Sequence, residues 1–256
     1  MLDDDLTGGR VEEADRKIVE MVAFDSAGST LVAGGDNGWI SWYDVDQERA
    51  TVEPAGRADT GGLVYAVAHS VHDVAVVGQV GRTRLWSTRT GELLGDLETP
   101  GAVLGLDLDP ADEHLVAVGA GREVTVWDVR EPASPVLVDT LTGPGSEVYN
   151  VQYSSDGTRL AAASQDGRLW VWDRTDDGWA DPLALDAAQT RLFAVGWGAG
   201  DEVLYAGGNL GEVRIWDTDV DRARSWICRT TGVRLTEQEW ADRLPGVPWT
   251  APCEEP

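Results

Sequence analysis

Four groupings in this chain hold residue types that could do chemistry. His69-x-x-His72-Asp73 supplies two imidazoles and a carboxylate, donors that a divalent metal accepts. A zinc site wants a further ligand and none is indicated nearby, so the competing reading is three polar groups at a turn or strand edge. Asp217-x-Asp219-x-Asp221 opens like a calcium loop. That loop needs Gly at its sixth position and Glu at its twelfth, where this chain has Arg222 and Cys228, so helix N-capping is the better reading. Gly196-Trp197-Gly198-Ala199-Gly200 imitates a phosphate-cradling loop, yet it runs between two predicted strands rather than into a helix. Cys228 and Cys253 could clamp the C-terminal segment as a disulfide; two buried thiols are the alternative that a reducing compartment favours. A nucleotide-binding P-loop needs a lysine after its glycines, and the only lysine, Lys17, has no glycines at that spacing. With no Gly-x-Ser-x-Gly elbow and no Cys-x-x-Cys, the expectation is a protein without catalytic residues and without a cofactor or metal.

The charge balance narrows the partner. The chain has 256 residues, with 20 Lys+Arg against 45 Asp+Glu and a formal charge of −25. Such a field repels a polyanion and lacks the clustered cations that phosphates require, which argues against nucleic acid. The acidic surface could simply maintain solubility, attract a basic partner, or reflect adaptation to high salt. No run approaches the ~20 apolar residues of a membrane span and Met1-Leu2-Asp3-Asp4-Asp5 is unlike a signal peptide, so a cytoplasmic location away from membranes is expected.

The elements that position these residues come from a repeat. Five segments end alike, in Trp42-Tyr43-Asp44, Trp86-Ser87, Trp127-Asp128, Trp172-Asp173 and Trp216-Asp217, with tryptophans spaced by 44, 41, 45 and 44 residues. That period fits one four-stranded propeller blade. In the clearest copy, Glu147–Tyr153 alternates as a strand, Ser154-Ser155-Asp156-Gly157 turns, and Leu160–Ser164 is a small-residue strand. Gln165-Asp166-Gly167 then turns the chain into Leu169-Trp170-Val171-Trp172-Asp173. Val136–Leu141 and Pro182–Asp186 read as outer strands.

These residues resemble the WD-repeat β-propeller family over roughly residues 18–217. The resemblance implies an all-β propeller of about five four-stranded antiparallel blades, closed or nearly closed, with Trp42, Trp86, Trp127, Trp172 and Trp216 as equivalent packing residues. It also implies a hydrogen-bonded tetrad in each blade. Its turn aspartate reads as Asp36 and Asp166 with Asn209 in the fifth copy, and no Gly-His pair is present, so the tetrads look degenerate. Residues 1–17 form an acidic segment that could supply a closing strand, with Val11–Ala14 as the candidate; the alternative is a longer chain with further blades upstream.

Residues 218–256 read as a helical tail. Asp219–Cys228 has acids in its first turn, and Thr236-x-x-Glu239 forms a capping box. Trp226, Trp240 and Trp249 are expected to dock it on the propeller. The run Cys228, Leu235-Thr236-x-x-Glu239-Trp240, Leu244-Pro245-Gly246-Val247-Pro248-Trp249 and Cys253 resembles the segment closing actinobacterial WD-repeat proteins linked to NACHT/STAND-type ATPases or kinases. That resemblance implies a sensor or scaffold module of a signalling assembly.

By the same family resemblance, the residue after the first apolar position of each innermost strand lies near the channel rim on the partner face. Those residues are Glu20, Tyr65, Leu104, Tyr149 and Phe193, with Gln165 projecting to the same face. Aromatics on a rigid rim anchor interfaces, whereas inter-blade packing is the alternative for them. The function expected is therefore a non-catalytic scaffold for a protein or peptide partner. Two rival readings are a propeller enzyme or small-ligand protein using the central channel, and a structural oligomerisation module.

Overall fold

In the computed structural model, residues 18–70, 72–186, 191–231 and 236–239 are described. They form five antiparallel sheets that follow one another along the chain. Blade 1 comprises β1 (Val19–Phe24), β2 (Thr30–Gly35), β3 (Trp39–Asp46) and β4 (Thr51–Asp59). Blade 2 comprises β5 (Ala66–Ser70), β6 (Val74–Gln79), β7 (Arg82–Ser87) and β8 (Leu93–Leu97). Blade 3 holds β9 (Val103–Asp109), β10 (Asp112–Ala120), β11 (Glu123–Asp128) and β12 (Val136–Leu141). Blade 4 holds β13 (Val148–Tyr153), β14 (Arg159–Ser164) and β15 (Arg168–Thr175), whose outer edge carries both β16 (Gly178–Trp179) and β17 (Leu183–Asp186). Blade 5 shows three strands, β18 (Leu192–Trp197), β19 (Val203–Gly208) and β20 (Val213–Asp217).

After β20 the chain turns into α1 (Val220–Thr231) instead of returning as an outer strand. Asp219 accepts the Arg222 N–H at 2.9 Å, capping the helix, and the Arg222 guanidinium pairs with Asp217 and Glu202. The acidic triplet is thus a helix start satisfied by an arginine. Trp226 does not dock on the blades: it is 60% exposed. Thr236 and Glu239 form the expected capping box, each side chain bonding the other's backbone N–H. Val11–Ala14, Trp240, Trp249 and Cys253 lie outside the described residues.

The sheets of blades 2, 3 and 4 are apolar on both faces because they are covered on both. One face of blade 4, with Trp172, Trp170, Leu160 and Val151, packs on Val124, Val126 and Ala117 of blade 3. Its other face, with Leu169, Val171, Ala161 and Ala163, receives Leu192, Val195 and Leu204 of blade 5. The same arrangement joins blade 1 to blade 2 and blade 2 to blade 3. Small residues in the second strands permit this spacing. A Cβ on Gly34 would stand 2.5 Å from the Val64 side chain, and one on Gly78 would stand 2.6 Å from Val103.

Strand register fixes the repeat frame residue by residue. Trp86, Trp127, Trp172 and Trp216 pair with Ala75, Val116, Leu160 and Leu204, and all turn towards the preceding blade. In blade 1 the equivalent pair is Tyr43 with Leu31, while Trp42 pairs with Val32 and packs on the blade 2 side. Trp42 is therefore one residue out of the frame that its neighbours share. The turn residues divide in the same way: Asp36 and Asn209 stand at the position of Gln165, and Asn37 and Leu210 at that of Asp166.

The innermost strands pack in succession, β1 on β5, β5 on β9, β9 on β13 and β13 on β18. Among the described residues no comparable packing joins blade 5 to blade 1, so the five blades form an open arc. Exposure records the gap. Val22 of blade 1 is 53% exposed, although its equivalents Val67, Leu106, Val151 and Val195 are 2–9% exposed. Ile215 of blade 5 is 62% exposed, against 0–7% for Trp42, Leu85, Val126 and Val171.

The register predicts an asymmetry in unfolding experiments. Trp172→Ala, at a fully buried inter-blade position, should cost about 3–5 kcal/mol in urea denaturation. Tyr43→Ala, at the equivalent position facing the open side of blade 1, should cost under about 1 kcal/mol.

Candidate functional site

The innermost strands surround a channel with two chemically distinct mouths. At the strand starts, the register skips one residue in four blades: Glu20, Leu104, Tyr149 and Phe193 each stand as the extra residue of a β-bulge. A bulge breaks the two-residue alternation and re-aims the side chain that it carries. In blade 2 Tyr65 sits immediately before β5, its N–H donating to the Gly78 carbonyl at 3.0 Å. Tyr149 and Phe193, on neighbouring blades, meet edge to face with centroids 5.1 Å apart. The Gln165 amide reaches the Tyr149 hydroxyl at 3.4 Å and accepts from the Ser146 hydroxyl at 2.7 Å. Phe193 is 44% exposed, while Tyr65, Leu104, Tyr149 and Gln165 are half-buried.

The turn residues brace this mouth. Asp166 accepts N–H groups from Gly145 at 2.8 Å, Arg168 at 3.0 Å and the Trp170 indole at 3.2 Å. Asp36 accepts the Ile18 N–H at 2.8 Å. Asn209 is exposed and bonds through its own N–H to the Arg191 carbonyl at 3.3 Å. Asp166 therefore knits its blade with no histidine taking part.

The opposite mouth holds a cavity of about 430 Å³, lined by Phe24, His69, Asp107, Glu113, Asn150 and Gln152 among others. Its polar side chains act as inter-blade hooks. Asp107 accepts the Tyr153 N–H of the next blade at 2.7 Å. One blade further, Gln152 accepts from Trp197 N and Asn150 from Val195 N, both at 3.1 Å. Sequence reasoning did not single out these residues. The available signal was a polar residue at one equivalent position, Asp107 and Gln152, within otherwise apolar strands. Burial raises the Asp107 carboxyl to about 7, partly offset by the Tyr153 N–H and reinforced by nearby Asp109. Asp109 is fully buried and pairs with Arg174 at 2.8 Å, and that guanidinium lies 4.9 Å over the Trp179 ring.

The remaining groupings resolve into structural roles. His69 is buried, with Nε2 3.1 Å from the Thr88 hydroxyl, and desolvation lowers its pKa. His72 stacks on His114 of blade 3 at 4.3 Å. Among the described residues no three His, Cys, Asp or Glu side chains are placed to hold a metal. The glycine-rich run ends β18 and passes through one short turn into β19, where Asp201 accepts the Ser155 N–H across the blade boundary. Cys228 is disulfide-bonded rather than a free thiol. No helix among the described residues is long and apolar enough to cross a membrane.

The comparisons agree with this architecture. Residues 135–173 match the family described as WD domain, G-beta repeat. Nucleoporin Nup43 of Mus musculus is 29% identical over 155 residues, which is 57% of this chain and 40% of the mouse protein. U3 small nucleolar RNA-associated protein 7 of Saccharomyces cerevisiae is 28% identical, covering 56% of this chain and 25% of the yeast protein. WD repeat-containing protein 1 of Xenopus tropicalis is 22% identical across 80% of this chain and 34% of its own length. The match therefore spans well under half of these relatives. A chain in the crystal structure of a mitotic checkpoint complex superposes with a TM-score of 0.67 at 18% identity, covering 78% of this chain and 64% of that one. The fold is accordingly an all-β arrangement of propeller blades with WD-type repeats.

Asp107 generates a pH prediction. Its folded pKa lies above the unfolded value near 3.9, so the folded state resists an ionisation that the unfolded state undergoes freely. Stability is lost as pH rises from about 4 to about 7 and stays lower above that. Asp107→Asn keeps an acceptor for Tyr153 and removes the ionisation. Urea titrations at several pH values should show the variant gaining on the parent across that window, by at most about 4 kcal/mol at pH 8; a constant difference would refute the assignment.

Proposed function

We propose that this chain is a non-catalytic scaffold that binds a protein or peptide partner through the strand-start mouth of its channel. Its place would be the interaction or sensing part of a bacterial signalling assembly in the cytoplasm. The observation that carries this reading is the row of bulges: four blades spend an irregular residue to re-aim a side chain at one mouth, and two of those side chains are aromatic. Tyr149 and Phe193 already contact each other, and Gln165 tethers the Tyr149 hydroxyl, so little side-chain freedom remains to be lost on binding. Aromatic rings held rigidly at a surface are frequent anchors of protein interfaces.

The net charge of −25 selects for a basic partner surface and against nucleic acid. The relatives with WD-type repeats, among them a nucleoporin, support an interaction role. The resemblance of the C-terminal segment to that of actinobacterial proteins linked to NACHT/STAND-type ATPases or kinases suggests a signalling ATPase or kinase as the catalytic neighbour.

Affinity capture from a high-GC actinobacterial lysate tests the mouth directly. The parent chain should retain a specific protein that Tyr65→Ala/Tyr149→Ala/Phe193→Ala retains at least about tenfold less, with both chains folded by circular dichroism. Equal capture by the two chains would move the binding surface elsewhere.

A further inference from the structure

We propose that the outer edge of blade 3, strand β12, is a docking strip for an extended basic segment of a protein partner, which adds to the sheet as a further strand. This strip lies on the circumference, away from the strand-start mouth. An edge strand presents a row of N–H and C=O groups to whatever approaches it, and soluble proteins blunt such rows with proline, charge, brevity or cover. The outer strands β4, β8 and β17 are each blunted. β4 carries Pro54, Glu53 and Arg57. β17 has four residues, follows Pro182 and ends in Asp186, which pairs with Arg168 at 2.8 Å. β8 is covered: a Cβ on its Gly95 would stand 1.9 Å from the Pro132 carbonyl oxygen.

β12 is the exception. Val136, Leu137 and Val138 follow one another at 60, 47 and 54% exposure, with neither proline nor charge among them. A bulge does not explain the triplet. β4, β8 and β12 each set one extra residue against the third strand, namely Ala55, Leu94 and Val138, so the bulge belongs to the blade pattern and the residue types belong to β12 alone. Further along, the Thr140 N–H is taken by the Asp139 carboxylate at 2.8 Å. The edge open to pairing is therefore that of residues 136–138, enough for a short added strand.

The flanking charge defines the occupant. Asp139 ends the triplet, and exposed Glu131 lies in the loop before it. A Cβ on Gly178 would stand 3.5 Å from the Asp139 carboxylate, which brings the turn with exposed Asp176 and Asp177 to the same end of the strip. Nearby cations are already engaged, Arg130 with Asp112 and Asp128, and Arg174 with Asp109. Antiparallel pairing, the mode of every sheet here, sets the N-terminal end of an incoming strand beside Asp139. The segment that fits is extended, opens with Lys or Arg and continues with β-branched residues. A second copy fits poorly, because it would bring the same carboxylates and set −25 against −25.

Fluorescence anisotropy on the full chain tests the strip, with a capped, labelled peptide Arg-Lys-Val-Thr-Val-Thr-Val as the probe. The peptide should bind the parent chain, and the Tyr65→Ala/Tyr149→Ala/Phe193→Ala chain should bind it equally, which separates this strip from the mouth. Methylating the peptide's backbone nitrogens deletes its donors without touching a side chain and should weaken binding roughly tenfold or more. Reversing the peptide's order should weaken it in the same direction. Val136→Glu/Val138→Glu, at exposed positions, should also weaken it, although simple attraction to an acidic surface would make the added carboxylates strengthen it. Four results overturn the proposal. They are a peptide that does not bind, a methylated peptide that binds equally, and a Glu variant that binds as well or better. The fourth is a parent dimer dispersed by Val136→Glu/Val138→Glu, which makes a second copy the occupant.

Discussion

Everything in this molecule depends on face-to-face packing between neighbouring sheets. A four-stranded sheet with two apolar faces cannot stand in water, and a propeller solves the problem by making each blade the cover of the next. The repeat divides the labour. The face turned to the preceding blade carries bulk, with Trp86, Trp127, Trp172 and Trp216, while the second strand of the blade before it supplies small residues such as Ala117, Ala161 and Gly78. Large against small at each boundary lets sheets interdigitate at the density of a protein interior. The four built boundaries are variations of one contact, which explains why the period is so regular while the loops are not.

Polar groups are added where that contact would leave backbone unsatisfied. The inner edges of the innermost strands face the channel, and a buried N–H without a partner costs about 1–3 kcal/mol. Asp107, Asn150 and Gln152 answer this by reaching across the boundary to the next blade. The solution is uneven, since a neutral amide costs less to desolvate than the carboxylate of Asp107. Asp109 illustrates the alternative of a buried carboxylate with its own arginine, whose planar face also rests on Trp179. That pair spans blades 3 and 4, so charge there specifies which sheets are neighbours.

The blade period was legible because tryptophan is rare and a packed boundary needs one bulky residue at a fixed place. Register was not. Trp42 satisfies the spacing to within a residue, yet strand alternation sends it to the opposite face and puts Tyr43 in the shared position. A single slip in a strand exchanges the two faces, and spacing alone cannot detect it. Asp36 is displaced together with Trp42, six residues on, whereas Asn209 stands seven residues before an in-frame Trp216 where Asp166 stands six before Trp172. The inter-blade hooks were invisible because their partners lie about 45 residues away and become neighbours only once the blades are arranged. Trp226 was expected to dock as large apolar residues usually do, but α1 leaves its indole in solvent. At the mouth, the sequence marked Tyr65, Tyr149 and Phe193 by type; the bulges that set Tyr149 and Phe193 apart from the alternation are a property of pairing and needed the structure.

The two irregularities of this arc, bulges at one mouth and bare faces at its ends, differ in physical character. A bulge is a local cost, confined to one residue and borne by a strand that stays paired on either side. Leaving a sheet face bare is a global cost that grows with area and that no local adjustment can repair. The first kind persists in a finished protein because it aims a side chain at something outside the fold. The second is confined to the outer faces of the first and last described sheets, where Val22 and Ile215 are 53% and 62% exposed. The periodicity that builds four boundaries from one contact therefore leaves the bulged strand starts as the place where a blade can vary without loosening its packing.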